Sequence, residues 1–456
     1  MTITDSHGHP LSGASAESLP RYENALNFLR CFVGDPLGEA DAAIAADPGF
    51  VMAHVFKGYV YGLSTEAAAA PLARAAYEAA AALPAAPREA AHVVALGHLA
   101  AGRWHAAGQA LEDIAIEHPR DALALQAGHQ VDYFTGNSRM LRDRISRALP
   151  AWDASMPGYH AVLGMHAFGL EEMGDYARAE ATGKRAVELQ PRDGWAQHAV
   201  AHVMEMQCRQ KEGIAWMRAN PDAWTQESFL QIHNWWHLAL FHYELGEVDE
   251  VLSLHDGPIF GARSKVALNM VDASAILWRL HLGGVDAGGR WGPLADNWEA
   301  LAGSATYAFN DAHAMMAFIG ANRPAAARRL LEAQRAAMEA PGDNAAFTRE
   351  VGHPVTLAIH AFGEGDHAGA ARLLRPIRHI AHRFGGSHAQ RDFIDLTLIE
   401  AALRAGNATL AAALASERAH ARPDSPLSRI FVERAQKLGT FPSRLVEEGA
   451  ERSEGR

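Results

Sequence analysis

Cysteine is almost missing from this chain: of 456 residues only Cys31 and Cys208 are cysteine. Two thiols so far apart exclude a disulfide framework and any CxxC zinc or redox motif. They point to a reducing compartment, with the cytoplasm as the expected location. Long apolar runs are missing as well. No stretch approaches the roughly 18 uninterrupted apolar residues of a membrane-spanning helix, so no membrane partner is expected. Residues 1–20 hold no basic region followed by an apolar run, which argues against a secretory signal. Basic residues are the minority charge, with Lys plus Arg at 41 against Asp plus Glu at 53 and a formal charge of -12. A chain this acidic is a poor match for a phosphate backbone, so nucleic acid is not an expected partner. Alternating β-branched runs, GxGxxG and GxxxxGK[ST] loops and a G-x-S-x-G elbow are all lacking. Dinucleotide, P-loop and serine-hydrolase chemistry therefore have no support.

What is present is helix and histidine. The chain is 49% hydrophobic and 21% charged and contains 25 histidines. Such a composition can bury a large core. Alanine is abundant, and apolar residues recur at spacings of three and four, as in Ala91–Leu96 and Ala273–Trp278. Breaks fall at Gly102, Gly136, Gly174, Cys208 and Gly246, at intervals of 34, 38, 34 and 38 residues. Pro119 and Pro191 each lie 17 residues past a unit glycine. Glycine ends a first helix, small alanines let a second helix approach, and proline ends that one. A single helical hairpin cannot bury its apolar face alone, so neighbouring hairpins stack.

At these residues the sequence resembles the tetratricopeptide repeat, best between about residues 160 and 193. From about 20 to 435 it resembles the tetratricopeptide repeat protein 38 family. The segments that carry the resemblance are Pro157-Gly158-Tyr159 through Glu171-Glu172, His198 to Glu205, Asn234-Trp235-Trp236-His237, Val271-Asp272-Ala273 and Phe309-Asn310-Asp311-Ala312-His313. The resemblance implies a cytoplasmic helical-repeat protein and brings no established reaction. The expected fold is all-α: tetratricopeptide-like α/α hairpins in a curved solenoid, with closure to a near-toroid as the extreme. Residues 1–20 read as a flexible arm, 21–436 as one repeat domain, and 437–456, with Glu447, Glu448 and Glu451, as a polar tail. Gly283-Gly284, Gly288-Gly289 and Pro293 are expected to interrupt the period between 250 and 310.

In the repeat this chain resembles, groove-lining positions lie 13, 10, 6 and 3 residues before the unit glycine. Counting back from Cys208 gives Trp195, His198, His202 and Glu205; from Gly246, His233, Trp236, Leu240 and Tyr243; from Gly174, a set ending in Glu171. Such a groove lacks the cations that clamp an acidic peptide terminus. It suits a small polar molecule or a short peptide, with Trp195, Trp236 and Tyr243 as faces for a cation. Each of these aromatics reads equally as core.

His198 and His202 stand one helical turn apart, and Glu205 continues their stripe. The three fit the ligand set of Zn²⁺ or a similar divalent ion. Ala199 occupies the place of the general base in HExxH, which disfavours a peptidase. His233 and His237 repeat the spacing one unit later, where His198 and His233 can face one cavity. His198, His202, Glu205 and His233 are thus the candidates for acid–base catalysis, in a hydrolase or lyase of unknown substrate. Further candidate ligand residues are His237, Asp311, His313, His388 and Asp392. Asp311 reads equally as a helix cap, and His388 with Asp392 as a surface pair. Cys208 reads as a packing residue. Three readings follow: a binding protein, an enzyme that uses the His/Glu cluster, and a scaffold. All three leave room for a homo-oligomer.

Overall fold

The computed structural model describes residues 3–439. Among them regular structure is helical throughout; β pairing is limited to two isolated bridges, Thr4–Pro10 and Val33–Ser228. The hairpin unit is plain at Tyr159–Glu171 with Tyr176–Leu189, and at Gly194–Met206 with Gln210–Ala219. Asp121 and Asp193 start their helices by accepting the backbone N–H three residues on, each at 2.9 Å. Left-handed corners separate the two helices of each unit. Gly102, Gly136, Gly174 and Gly246 all have positive φ, and Cys208 takes the same corner at φ 56°. The corner recurs at Gly284, Asn322, Gly365 and Gly406. The period therefore runs through Gly284 instead of breaking there. The irregularity sits just upstream, where the short Val248–Leu254 helix runs into a π-turn, His255–Ile259, with Pro258 inside it.

Burial sorts the helices into two layers. In Ala308–Gly320 every residue from Ala308 to Phe318 is buried, and Tyr159–Glu171 is buried from Ala161 to its end. Tyr176–Leu189 buries only Ala179, Gly183 and Ala186. Such first helices form an inner wall covered on both sides, and second helices form the outer skin; Pro87–Ala100, with Val94 exposed, is covered on one side only. The result is an all-α, tetratricopeptide-like helical-repeat solenoid.

The solenoid curls until later units lie on earlier ones. Glu66 accepts the N–H of Ala267 at 2.9 Å, Asp343 that of His105 at 2.8 Å, and Glu172 that of His388 at 2.8 Å. These contacts span 201, 238 and 216 residues. Closure thus comes from stacked turns, not from a ring whose two ends meet. The helix His388–Arg404 occupies the inside of the curl. Thirteen of its 17 residues are buried, and it packs against Ala267–Leu282 and Gly194–Met206. Trp278 donates to Thr397 at 2.9 Å, and Arg279 donates to the Ala389 carbonyl at 2.8 Å.

The flexible arm expected over residues 1–20 is instead, in its described part, held against the body. Leu11 is buried, Ser12 donates its N–H to Glu89 at 2.8 Å, and its carbonyl accepts from Val51 at 3.2 Å. A polar segment can be fixed in this way when its backbone groups find partners on helix ends. The polar tail lies outside the described residues from 440 onward. Among those described, no helix is long and apolar enough to cross a membrane.

Candidate metal centre

The inner wall places four imidazoles in one knot. Gly194–Met206 supplies His198 and His202, and Gln231–Glu244 supplies His233 and His237. Spacing of i and i+4 sets each pair on one face, and stacking of the two units brings the faces together. One nitrogen from each ring lies within 4.8 Å of the others. His198 Nε2 and His233 Nε2 are 3.0 Å apart. Ring centroids are separated by 4.3 Å for His198–His202 and 4.5 Å for His202–His237.

Carboxylates surround the knot. His233 Nδ1 donates to Asp272 at 3.0 Å, and His237 Nδ1 donates to Glu205 at 3.1 Å. His202 Nδ1 lies 3.4 Å from Glu171. With the Nδ1 atoms of these three rings turned toward acids, their Nε2 atoms point inward. His237 Nε2, both nitrogens of His202 and Nδ1 of His198 are buried without a hydrogen-bond partner. Aromatics seal the sides: Phe168 stacks on His198 at 5.3 Å, and Trp236 stacks on His233 at 5.3 Å and 15°.

Burial, reinforced by neighbouring imidazoles, holds His198 and His237 well below the ordinary histidine pKa. Burial pushes His202 down to about 4. These rings are neutral at neutral pH, which is the form that binds a metal. Burial, and next Glu172 beside it, pushes the Glu171 carboxyl up; burial also raises Glu205, against the pull of Arg422.

The residues anticipated from sequence fall into three groups. His198, His202, His233 and His237 converge. Glu205 does not join them as a third ligand: a first-helix glutamate three residues past His202 reaches the neighbouring unit, where it holds His237. Glu171 lies beside His202 without a hydrogen bond to it, and both of its carboxyl oxygens are buried and unpartnered. Trp195 and Trp236 are packing walls rather than open faces. Trp195 lies 4.8 Å from both Phe168 and His198, and the face of Trp236 is covered by Arg279 at 5.3 Å. Tyr243 donates to the Arg279 carbonyl at 3.3 Å.

The downstream candidates divide. His388 approaches the knot from across the curl, with Nδ1 3.3 Å from Glu172, and it forms a second acidic group with Glu171 and Glu172. Asp392 is held by Arg418 at 2.6 and 3.0 Å. Asp311 and His313 have no bond to the knot. Asp311 accepts from Gln334 at 3.1 Å, and burial pushes its carboxyl up to about 7. His313 donates to the Phe309 carbonyl at 2.8 Å, and burial takes it down to about 3.

Sequence reasoning did not assign roles to Asp272, Glu172, Arg279, Arg391, Arg418 or Arg422. Asp272 was within reach of the repeat: it sits on the next first helix, one unit beyond His233. The others depend on the curl.

Two cavities adjoin the centre. A small recess of about 20 Å³ is lined by Glu205, Tyr243, Arg279, Asp392 and Arg422. An open cleft of about 450 Å³, bordered by His388, Arg391, Asp392 and Arg422, shares the last two residues with it.

No family model matches the chain. Similar solved structures include the human IFIT1 dimer with m7Gppp-AAAA, at 15% identity and TM-score 0.37, covering 92% of this chain and 94% of that one. Yeast Tom70 follows at 12% identity and TM-score 0.31, covering 96% of this chain and 92% of that one. The tetratricopeptide domain of P58(IPK) has 15% identity and TM-score 0.20, covering 86% of this chain and 99% of that one.

Proposed function

We propose that this protein is a metal-binding helical-repeat protein whose His198, His202, His233 and His237 hold one divalent transition ion. The observation that carries the reading is the convergence of four imidazoles, three buried and one part-buried, with two of them hydrogen-bonded to carboxylates and nitrogens of the other two, and of His237, left unpartnered. Buried polar atoms without partners are costly, and an ion at the centre satisfies them together. Asp272 and Glu205, bonded to the outer nitrogens of His233 and His237, fix the tautomers of those two rings and make them better donors. A set of neutral imidazoles suits zinc, copper, iron or nickel and does not suit magnesium or calcium. Tetrahedral coordination at about 2.0–2.1 Å needs nitrogens about 3.3 Å apart. The present spread of up to 4.8 Å therefore contracts modestly on binding.

A short peptide in an open groove has less support, because the chain's own His388–Arg404 helix lies inside the curl. A small polar molecule reaching the centre from the cleft fits better. Catalysis by the ion is the second reading. It is favoured by the recess that reaches Glu205, and it requires an ion that expands beyond four ligands. The segments that suggested the tetratricopeptide repeat protein 38 family include those that build the centre, His198 to Glu205, Asn234 to His237 and Val271 to Ala273. This supports membership of that family. Two unpaired cysteines agree with a cytoplasmic location.

Elemental analysis of protein purified without chelator is expected to give about one equivalent of transition metal per chain. X-ray absorption should then report nitrogen ligands at about 2.0–2.1 Å. Metal below about a tenth of an equivalent, with no uptake on dialysis against Zn²⁺, Fe²⁺, Ni²⁺ or Cu²⁺, overturns the reading.

A further inference from the structure

The cleft beside the centre gathers cations in an otherwise acidic protein. Arg378, Arg391, Arg418 and Arg422 all line it. Their partners are unequal. Arg418 is engaged twice by Asp392, at 2.6 and 3.0 Å. Arg378 bridges Asp395 at 2.8 Å and Glu417 at 2.9 Å. Arg391 donates to the Gly386 carbonyl and stands 3.5 Å from Glu172. Among the described residues, Arg422 bonds only to the Met206 sulfur at 3.5 Å, with an Asp392 oxygen 3.9 Å away and Glu205 across the recess, although its side chain is just 11% exposed. A guanidinium so deeply placed and so poorly paired is a fork for a planar anion.

The balance of charge selects the anion. Four guanidiniums line the cleft against three carboxylates, Asp392, Asp395 and Glu417, and Glu172 stands behind Arg391. With the two lining histidines, His382 and His388, in their neutral form, at most one positive charge is in excess. That matches a carboxylate and falls short of a doubly charged phosphate ester. The cleft, about 450 Å³, has the size of a metabolite site. The inner recess of about 20 Å³ has room for a water but not for a ligand. The ligand body therefore stays in the cleft, and its anionic end meets Arg422 at the entrance to the recess. From there Glu205 leads to His237.

We propose that the cleft binds a small carboxylate-bearing metabolite, gripped through its carboxylate by Arg422 and Arg391, on the side of the imidazole knot where Glu205 lies. The proposal rests on the metal reading for what the ligand would approach, and on the cleft alone for its binding.

Calorimetric titration of the full chain with succinate, glutarate and benzoate, beside inorganic phosphate, tests it. At least one carboxylate is expected to bind more tightly than phosphate. Arg422→Gln should weaken that binding by about tenfold or more while leaving metal content unchanged. Met206→Glu keeps the guanidinium but offers it an internal carboxylate, and it should abolish binding with the helical circular dichroism intact. The proposal falls if no carboxylate binds up to about 10 mM, if phosphate binds best, or if both variants bind like the parent. Carboxylate binding in a chain that takes up no metal removes the metal reading and leaves this one standing. Metal without carboxylate binding does the reverse.

Discussion

Two parts of the inner wall use the same residues to opposite ends. His92 lies ten residues before Gly102, and His198 lies ten before Cys208, so they occupy the same register of the repeat. Around His92 both ring nitrogens and the carboxylate are matched, and only the Arg88 Nε lacks a partner. Its Nε2 donates to Asp121 at 2.9 Å, and the Tyr59 hydroxyl donates to its Nδ1 at 3.0 Å. Arg88 donates to Asp121 at 2.6 Å, and the Ala124 N–H does so at 2.9 Å. Burial would raise the Asp121 carboxyl, but His92 and Arg88 outweigh it and hold it well below the usual range. Around His198 the partners are other imidazoles, and inward nitrogens are left over. A buried histidine with a carboxylate is thus not in itself a site. Convergent groups that the protein does not satisfy are the signature.

The contrast breaks most sharply at His237. His237→Ala is expected to lower metal affinity by at least about 100-fold, measured by competition with a chelating dye. His92→Ala should leave metal affinity unchanged. Equal metal loss in both variants would erase the distinction between the two regions.

The next largest effect belongs to the matched region. Asp121→Ala strands Arg88 in the interior and should cost about 3–5 kcal/mol in urea unfolding, with metal content intact. The sign with pH follows from the depressed Asp121 carboxyl. Its stabilisation is complete above the unfolded value near 4 and is lost as pH falls below that toward the folded value. The parent should therefore lose its advantage over Asp121→Ala in acid. An advantage that grows below about pH 4 contradicts the pairing.

Asp272→Asn sharpens the comparison most finely. It keeps the size of the group behind His233 but removes the charge, so metal affinity should drop about 10- to 100-fold with little change in the stability of metal-free protein. An unchanged affinity would reduce Asp272 to a packing partner.

Much of the inner wall was legible in advance. The glycine period located the units, and the count back from Cys208 and Gly246 put His198, His202, His233 and Trp236 on first helices. Helical spacing alone also makes His198 and His202 neighbours. The Glu205 ligand role did not survive, because the same arithmetic cannot say which neighbour a side chain reaches. Asp311 and His313 had the composition of a site, yet in the fold Asp311 binds Gln334 and His313 binds its own helix.

Local periodicity, then, settled what is local: all-α hairpins, their corners, and the face on which each histidine stands. Only the tertiary structure decided that Glu172 meets His388 and that Met206 meets Arg422, each pair 216 residues apart. It also decided that His388–Arg404 fills the curl. Such meetings depend on the small rotation between successive units added over several units. Each rotation is set by packing detail at one interface. Only their accumulated value determines which distant first helices and arginines share a cleft.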